Sequence, residues 1–227
     1  MKMIWILLTF YTLVLANGWE LRKDEDGIKV FTKEVEGSNY LAYKGESIVE
    51  GSVTALVGIL YDTENAPSWL EDCTLGFTLD EVRFEENYVF ETYGLPFPLS
   101  DRMLIIHSTL IWDDYHARIT SLEANDFCHT RSDERCRRVQ AVDAVVVTRS
   151  RGYYDLQYID TNHTKVVWEQ HVESGGSLPT WLVNTSVIDI PFNSLQRLKL
   201  LVQEQKYKNM TRSEIKEAWQ ATYERHH

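Results

Sequence analysis

Residues 175–207 read GGSLPTWLVNTSVIDIPFNSLQRLKLLVQEQKY. Pro179 suits the first turn of a helix, where a backbone N–H has no intrahelical acceptor. Apolar side chains then recur at helical spacing, and Pro191 falls inside the run, where a proline kinks a helix. These apolar residues are Trp181, Leu182, Ile188, Leu195, Leu198, Leu201 and Val202. The segment therefore predicts a long C-terminal helix that bends at Pro191.

The sequence before this helix is rich in predicted strands. β-prone segments separated by turn-like or charged residues predict an antiparallel meander of at least six strands, at residues 75–84, 87–94, 103–114, 116–124, 144–159 and 164–174. The last two should form a hairpin around residues 160–163. Residues 27–35 and 40–50 predict two earlier strands.

One helix separates the first strands from the meander. Ser52 is a suitable N-cap, and the helix should end near Asn65 because Pro67 disfavours helix at the residue before it. The element order predicts an α+β fold in which a curved antiparallel sheet wraps around the long C-terminal helix. A loose wrap would leave an internal cavity.

The charge balance limits the classes of partner. The chain has 227 residues with 34 acidic and 23 basic side chains, for a formal net charge of −11. Nucleic-acid binding requires clustered Lys and Arg, so no nucleic-acid partner is expected. The same charge opposes tight adhesion to an anionic membrane but permits transient contact with a membrane surface. We expect a monomer.

The N-terminus has the features of a secretory signal peptide. Lys2 precedes an uncharged apolar run at residues 4–16, and small residues at Ala16 and Gly18 offer cleavage positions. The alternatives are an uncleaved membrane anchor or a buried first helix. We expect residues 1–18 to be the signal peptide of an exported protein, periplasmic or secreted, with a domain at 19–209 and a helical tail at 210–227.

The chain contains Cys73, Cys128 and Cys136. Export would permit disulfides, and Cys128 and Cys136 flank a short polar segment that resembles a loop. We expect these two to be bridged, the alternative being two free thiols in a mobile segment. Cys73 would then be a buried, unpaired residue. The cysteine and histidine spacings fit no zinc motif, and no metal site is expected.

The sequence resembles the START domains, the STAR-related lipid-transfer family. The resemblance depends on WELRKDEDGIKVFTKEV at residues 19–35, PFPLSDR at 96–102 and GGSLPTWLVN at 175–184, which stand in the family's order and spacing. It implies a helix-grip fold with an apolar tunnel that holds one lipid, a sterol, phospholipid or other hydrophobic molecule. It also implies that the C-terminal helix and nearby loops form a lid. Met103 departs from the family, since an aspartate often follows the motif arginine.

Arg102 raises a separate question, because it opens the apolar run MLII at residues 103–106. Strand alternation places its side chain on one face with Leu104 and Ile106. A buried cation needs a partner, and Glu91 on the preceding strand is the expected one. The pair could fix strand register, or it could offer polarity to a lipid from the cavity wall.

The predicted lipid-binding residues combine this alternation with the resemblance. They are Glu91, Arg102, Trp69, Leu104, Ile106, Trp181 and Ile188. Trp69 is equally explained as a core or rim tryptophan, and Trp181 is included as a lid residue because it opens the last helix.

Catalysis has little support in the sequence. No GxSxG, HExxH or phosphate-binding loop motif is present, and the histidines are scattered. We therefore expect a non-enzymatic lipid-binding or lipid-transfer protein with no catalytic residues and no cofactor. The alternatives are an aromatase- or cyclase-like helix-grip enzyme acting on a bound hydrophobic substrate, and a module that senses a lipid and signals to a partner.

Overall fold

The computed structural model describes residues 18–226. The strands of this part of the chain are β1 (Glu20–Glu25), β2 (Ile28–Lys33), β3 (Ala42–Glu50), β4 (Cys73–Arg83), β5 (Glu86–Tyr93), β6 (Arg102–Trp112), β7 (His116–Glu123), β8 (Val145–Val146), β9 (Arg149–Asp160) and β10 (His163–Glu173). The α-helices are α1 (Val53–Tyr61), α2 (Ala66–Trp69), α3 (Glu134–Gln140), α4 (Thr180–Leu201), α5 (Gln205–Lys208) and α6 (Arg212–His226). Short 3₁₀ helices cover Thr63–Asn65 and Asn125–Cys128.

The ten described strands form one curved sheet, and nine of them follow the order β1-β2-β3-β10-β9-β7-β6-β5-β4. Every neighbour along this path is antiparallel, and the short β8 adds a parallel pairing to β6. The long helix α4 lies against β2 and β3. The α+β fold predicted from the element order, with the helix-grip arrangement that the resemblance implies, is confirmed.

Helix α4 is anchored by its C-terminal half. From Pro191 onward its buried residues are Pro191, Phe192, Ser194, Leu195, Leu198 and Leu201, whereas Val187 is the buried residue of its earlier turns. Gly45 on β3 permits the close approach, since a Cβ there would lie 2.7 Å from Leu195 Cδ1. The helix is thus fixed to the sheet at one end and more loosely packed at the other.

Three local predictions were wrong in detail. The first helix ends at Tyr61 and not near Asn65, and Pro67 lies in the first turn of α2, where a proline is tolerated. Residues 144–159 are not one strand, because the N–H of Val147 bonds to Met103 while that of Thr148 bonds to Glu173, so the chain changes partner there. The highly charged β1 was not predicted at all.

The predicted disulfide between Cys128 and Cys136 is present, and Cys73 is free and buried. The segment between the bridged cysteines is not a plain loop, because α3 begins within it and Asp133 caps that helix by accepting from the N–H of Cys136. The segment covers a second apolar cluster on the other face of β5 and β6. That cluster consists of Phe77, Leu79, Phe90, Ile105, Cys128, Cys136 and Val139.

The C-terminal tail is helical, as predicted, and it packs on the domain. The N–H of Glu214 bonds to Thr211 Oγ1 and the N–H of Thr211 bonds to the Glu214 carboxylate, which forms a capping box. Ile215 is buried, and Trp219 meets the ring of Phe84 edge-on at 6.0 Å. The predicted signal peptide lies outside the described residues except for Gly18. Within 18–226, no helix has the length and apolarity needed to cross a bilayer.

Candidate functional site

A cavity lies between the sheet and the N-terminal half of α4. Its outer compartment, of about 140 Å³, is bounded by apolar residues that include Tyr43, Leu95, Leu178, Leu182, Val187 and Ile190. Its inner compartment, of about 90 Å³, is bounded by residues that include Ile59, Val89, Glu91, Ile106, Ile119 and Tyr154. Leu70, Leu104 and Trp168 line both compartments, so the two are neighbours along one path into the fold.

Aromatic rings form a continuous wall along this path. Trp69 meets Tyr154 at 6.3 Å, and Tyr154 stacks on Trp168 at 5.0 Å. Trp168 in turn meets Tyr43 edge-on at 5.1 Å. The indole N–H groups of Trp69 and Trp168 are buried, and neither has an acceptor among the described residues. Buried donors of this kind are unusual and are available to an oxygen atom of a ligand.

Two acidic side chains line the inner compartment: Asp62, which pairs with Lys206, and Glu91. The Glu91 carboxylate accepts a hydrogen bond from the hydroxyl of Tyr93, and within the described residues no cation lies within 4.0 Å of it. Burial raises the pKa of Glu91, because the charged form is poorly solvated at this depth. The neutral acid is therefore favoured more than in water, and its O–H is a hydrogen-bond donor.

The phenols and the thiol near Glu91 are held in their neutral forms. Burial, reinforced by the Glu91 carboxylate, raises the pKa values of Tyr43, Tyr93 and Tyr154 well above the ordinary phenol value, with neighbouring titratable groups adding to the rise at Tyr93 and Tyr154. The same two causes raise the pKa of the Cys73 thiol to about 12. The two compartments therefore present neutral tyrosine hydroxyls beside their apolar walls.

The predicted ion pair between Glu91 and Arg102 does not form. In the β5–β6 register Arg102 faces Tyr93 and Glu91 faces Leu104, so the two charged residues are diagonal neighbours. Arg102 Nε donates to the Ser174 carbonyl at 2.8 Å, and its terminal nitrogens donate to the carbonyls of Ser100, Asp101 and Gly175. Backbone oxygens, and not a carboxylate, satisfy this buried guanidinium.

Arg102 thereby ties the start of β6 to the segment that leads into α4. That segment contains Gly175 and Gly176, whose φ angles are +67° and +61°. A Cβ at Gly175 would lie 2.2 Å from the Val146 carbonyl oxygen, so glycine is required there by both backbone conformation and space. The entry to α4 is a glycine turn held by an arginine.

The other predicted residues divide into two groups. Trp69 and Ile106 border the inner compartment, Leu104 borders both compartments, and Arg102 borders the outer one. Trp181 is 70% exposed in the first turn of α4, and Ile188 packs partly against the main core; neither lines the compartments described above.

Sequence reasoning missed several residues that border the inner compartment. Gln170 donates from Nε2 to Ser150 Oγ at 2.7 Å, and both side chains are buried beside Tyr154 and Trp168. These residues lie on β9 and β10, which pair with each other. Strand alternation on that hairpin could have placed Tyr154, Trp168 and Gln170 on the cavity face, since all three lie at even-numbered positions.

Within residues 18–226, no group of three or more His, Cys, Asp or Glu side chains is arranged to hold a metal ion. The polar groups of the cavity are instead hydroxyls, the Gln170 amide, the Arg102 guanidinium and the carboxyl groups of Asp62, Asp72 and Glu91. This arrangement can solvate a small polar group at the end of an apolar molecule.

Comparisons with known proteins agree with this geometry. The chain is similar to a STAR-related lipid transfer protein from Xanthomonas axonopodis, with 26% identity, a TM-score of 0.70, and coverage of 82% of this chain and 99% of that structure. Its fold also matches human STARD10, with a TM-score of 0.70, 17% identity, and coverage of 94% and 80%.

A sequence relative is an uncharacterized protein of Pseudomonas aeruginosa, 29% identical over 185 residues, covering 82% of this chain and 87% of that protein. No protein-family model matches the sequence.

Proposed function

We propose that this chain, a START-domain protein, binds a single neutral lipid that carries a hydroxyl group. The observation that carries the proposal is the apolar cavity under α4 that ends in Glu91 and has no cation free to bind an anion. The Xanthomonas relative is a STAR-related lipid transfer protein, which supports carriage without chemical change.

The apolar walls supply the affinity. Each methylene group moved from water into such a cavity contributes about 0.8 kcal/mol. The acyl or ring portion of a lipid would lie against Tyr43, Leu104 and the aliphatic side chains of α4.

The polar end of the cavity supports an alcohol over a phospholipid. Among the described residues that line the two compartments, Arg102 is the one cation, and backbone carbonyls already occupy four of its five N–H donors. A phosphate there would meet Glu91 and no free counter-charge, at a high desolvation cost. A hydroxyl could accept from the indole N–H of Trp69 or Trp168 and bond to Glu91.

Loading would require α4 to move. The compartments, at about 140 and 90 Å³, are small beside the 300–1,000 Å³ typical of ligand pockets. The N-terminal half of α4, between the glycine turn and Pro191, covers the outer compartment and is less buried than the second half. We assign it the role of a lid that opens for the lipid.

Two exposed aromatic residues lie beside this lid. Phe97 is 97% exposed in the β5–β6 connection, and Trp181 is 70% exposed on α4. Their neighbours Leu95 and Leu182 line the outer compartment, so both flank its mouth. Transient insertion of these two side chains into a membrane surface would bring the mouth to the lipid. Export is part of the proposal, and the disulfide between Cys128 and Cys136 is compatible with it.

The test is native mass spectrometry of protein purified from its own host, followed by identification of the extracted lipid. A single bound neutral alcohol is expected. In parallel, vesicles containing a fluorescent sterol or a fluorescent phosphatidylcholine would be offered to the wild-type protein and to V187W, which fills the outer compartment. L200W adds the same bulk at a position that is 72% exposed and is the matched control. Equal uptake by wild type and V187W, or preferred extraction of the phospholipid, would contradict the proposal.

A further inference from the structure

A second cleft lies outside the lipid cavity, between the C-terminal tail and the sheet. It has a volume of about 400 Å³, larger than either compartment of the lipid cavity. Helices α1, α3, α5 and α6 contribute to its walls together with strands β4 and β5. It borders the inner compartment at Asp62 and Thr63, which line both spaces.

The tail helix that forms one wall is held firmly in place. Ile215 is 4% exposed, and Arg212 Nη2 donates to the Trp112 carbonyl at 2.8 Å. Met210 lies so close to α1 that a Cβ at Gly58 would be 2.4 Å from its sulfur. The cleft is thus a feature of the folded domain and not a gap beside a loose terminus.

Four cations line the cleft, and their partners differ. Arg135 forms two hydrogen bonds with the Glu81 carboxylate, at 2.8 and 3.1 Å, and Lys206 pairs with Asp62. Arg138 instead lies over the ring of Phe77, 4.3 Å from its centroid. Arg225 bonds only within its own helix, to Ala221 O and Thr222 Oγ1, each at 3.1 Å.

Arg138 and Arg225 therefore face no carboxylate within 4.0 Å in the described part of the chain. The described lining has four cations and three acids, Asp62, Glu64 and Glu81, for a net charge of +1. Of these three acids, Glu64 is the one without a salt bridge among the described residues. The net positive charge stands out in a chain whose net charge is −11. A guanidinium group with free donors is suited to a carboxylate.

The floor of the cleft offers apolar surface and unpaired hydrogen-bonding groups. Phe77, Met210 and Trp219 supply the apolar surface. The Oδ1 atom of Asn87, in a side chain only 6% exposed, has no donor, and the indole N–H of Trp219 has no acceptor among the described residues. Two buried polar atoms without partners, at the floor of one open cleft, are expected where a ligand or ordered solvent completes the bonding.

We propose that this cleft binds a small amphipathic carboxylate. Its apolar body would lie against Phe77, Met210 and Trp219, and its carboxylate would accept from Arg138 and Arg225. The site is separate from the lipid cavity, and the inference stands whether or not the lipid proposal is correct.

The probe is 1-naphthoate, with uncharged 1-naphthamide as its isostere. Binding would be followed by the NMR signal of the Trp219 indole N–H, identified by its loss in W219F. A probe of this size should bind with a dissociation constant on the order of 1 mM. We expect naphthoate to shift the Trp219 signal, and R138Q/R225Q to weaken binding by about tenfold.

The matched control is R22Q/R149Q, which removes two arginines that do not line the cleft. R22Q/R149Q should bind naphthoate as the wild type does. Naphthamide should bind more weakly than naphthoate to the wild type and to R22Q/R149Q. An unmoved Trp219 signal, or equal affinity of wild type and R138Q/R225Q, would overturn the proposal. So would loss of naphthoate binding in V187W, since that would place the probe in the lipid cavity.

Discussion

Glu91 and Arg102 lie diagonally across the β5–β6 strand pair, and each binds a different partner. The hydroxyl of Tyr93 donates a hydrogen bond to Glu91, whereas Arg102 donates hydrogen bonds to backbone carbonyls of the loops that flank the cavity mouth. The acid is thus a feature of the cavity and the arginine a feature of the scaffold. Separate roles predict separate consequences of mutation.

Arg102→Met should destabilise the fold by about 2–3 kcal/mol, because it removes charge-assisted hydrogen bonds and leaves buried carbonyl groups unsatisfied. Glu91→Gln should not compensate. In a double-mutant cycle measured by denaturant unfolding, the coupling free energy between the two changes should stay below about 0.5 kcal/mol. Arg149→Met, at an exposed arginine, is the control and should have little effect. A coupling free energy well above about 1 kcal/mol would show that Glu91 and Arg102 do interact as an ion pair.

Glu91 should also make stability depend on pH. Because its pKa is raised in the folded state, the folded protein holds the proton more tightly than the unfolded chain does. Below the ordinary value of 4.5 both states are protonated and there is no penalty. As pH rises from that value through the folded pKa, wild-type stability should fall relative to Glu91→Gln, which cannot ionise.

The measurement is the free energy of unfolding of wild type and Glu91→Gln at a series of pH values. The difference should grow in favour of Glu91→Gln across that window and then level off. Glu169→Gln is the control, because Glu169 also accepts a hydrogen bond from a tyrosine hydroxyl, that of Tyr153, but does not line the cavity. A difference between wild type and Glu91→Gln that shrinks with rising pH would show that the charged form of Glu91 is the favoured one.

The fold could be predicted from sequence because its signals are local and repeated. Most of the alternating strands, the Ser52 cap and the long periodic helix formed where the pattern placed them. The charged strand β1 gave no such signal, since an edge strand needs few apolar residues. The break between β8 and β9 depends on which strands the chain pairs with, which is a property of the whole sheet.

The site could be predicted only in part. Alternation correctly put Arg102 and Leu104 on the cavity side of β6, yet it could not reveal the register that sets Arg102 opposite Tyr93. The backbone carbonyls that satisfy Arg102 have no signature in sequence, because every residue carries one. Alternation could have placed Tyr154 and Trp168 on one face of the sheet, but aromatic residues in strands are common in any core, so this did not mark them as cavity residues.

The cysteines give a chemical prediction. Burial and the nearby Glu91 raise the pKa of the Cys73 thiol to about 12, so the reactive thiolate is scarce at pH 8. Iodoacetamide should therefore leave the native, oxidised protein unmodified and label one thiol after unfolding. Rapid labelling of Cys73 in the native state would contradict its burial.

Loss of the disulfide should have a moderate effect. For cysteines separated by 8 residues, the chain-entropy model gives a stabilisation of about 2–3 kcal/mol. Cys128→Ser/Cys136→Ser should lower the unfolding midpoint accordingly, because α3 would no longer be tethered over the cluster of Phe77, Phe90 and Ile105. Cys73→Ser, which breaks no bridge, separates this effect from simple loss of sulfur.

Membrane contact yields the last prediction. If Phe97 and Trp181 insert at the cavity mouth, Phe97→Ser and Trp181→Ser should each weaken binding to phosphatidylcholine vesicles by about tenfold, from the lost burial of one aromatic side chain. Stability should hardly change, since both side chains are exposed. The controls are Ile111→Ser and Leu200→Ser, which remove apolar residues that are 71% and 72% exposed at the far ends of β6 and α4. Ile111 lies about 30 Å from Arg102 along β6, and Leu200 about 28 Å from Trp181 along α4.

Vesicle flotation would measure binding, and transfer of a fluorescent sterol between vesicles would measure function. Equal losses in all four variants would show that general surface apolarity, and not the mouth, governs membrane contact.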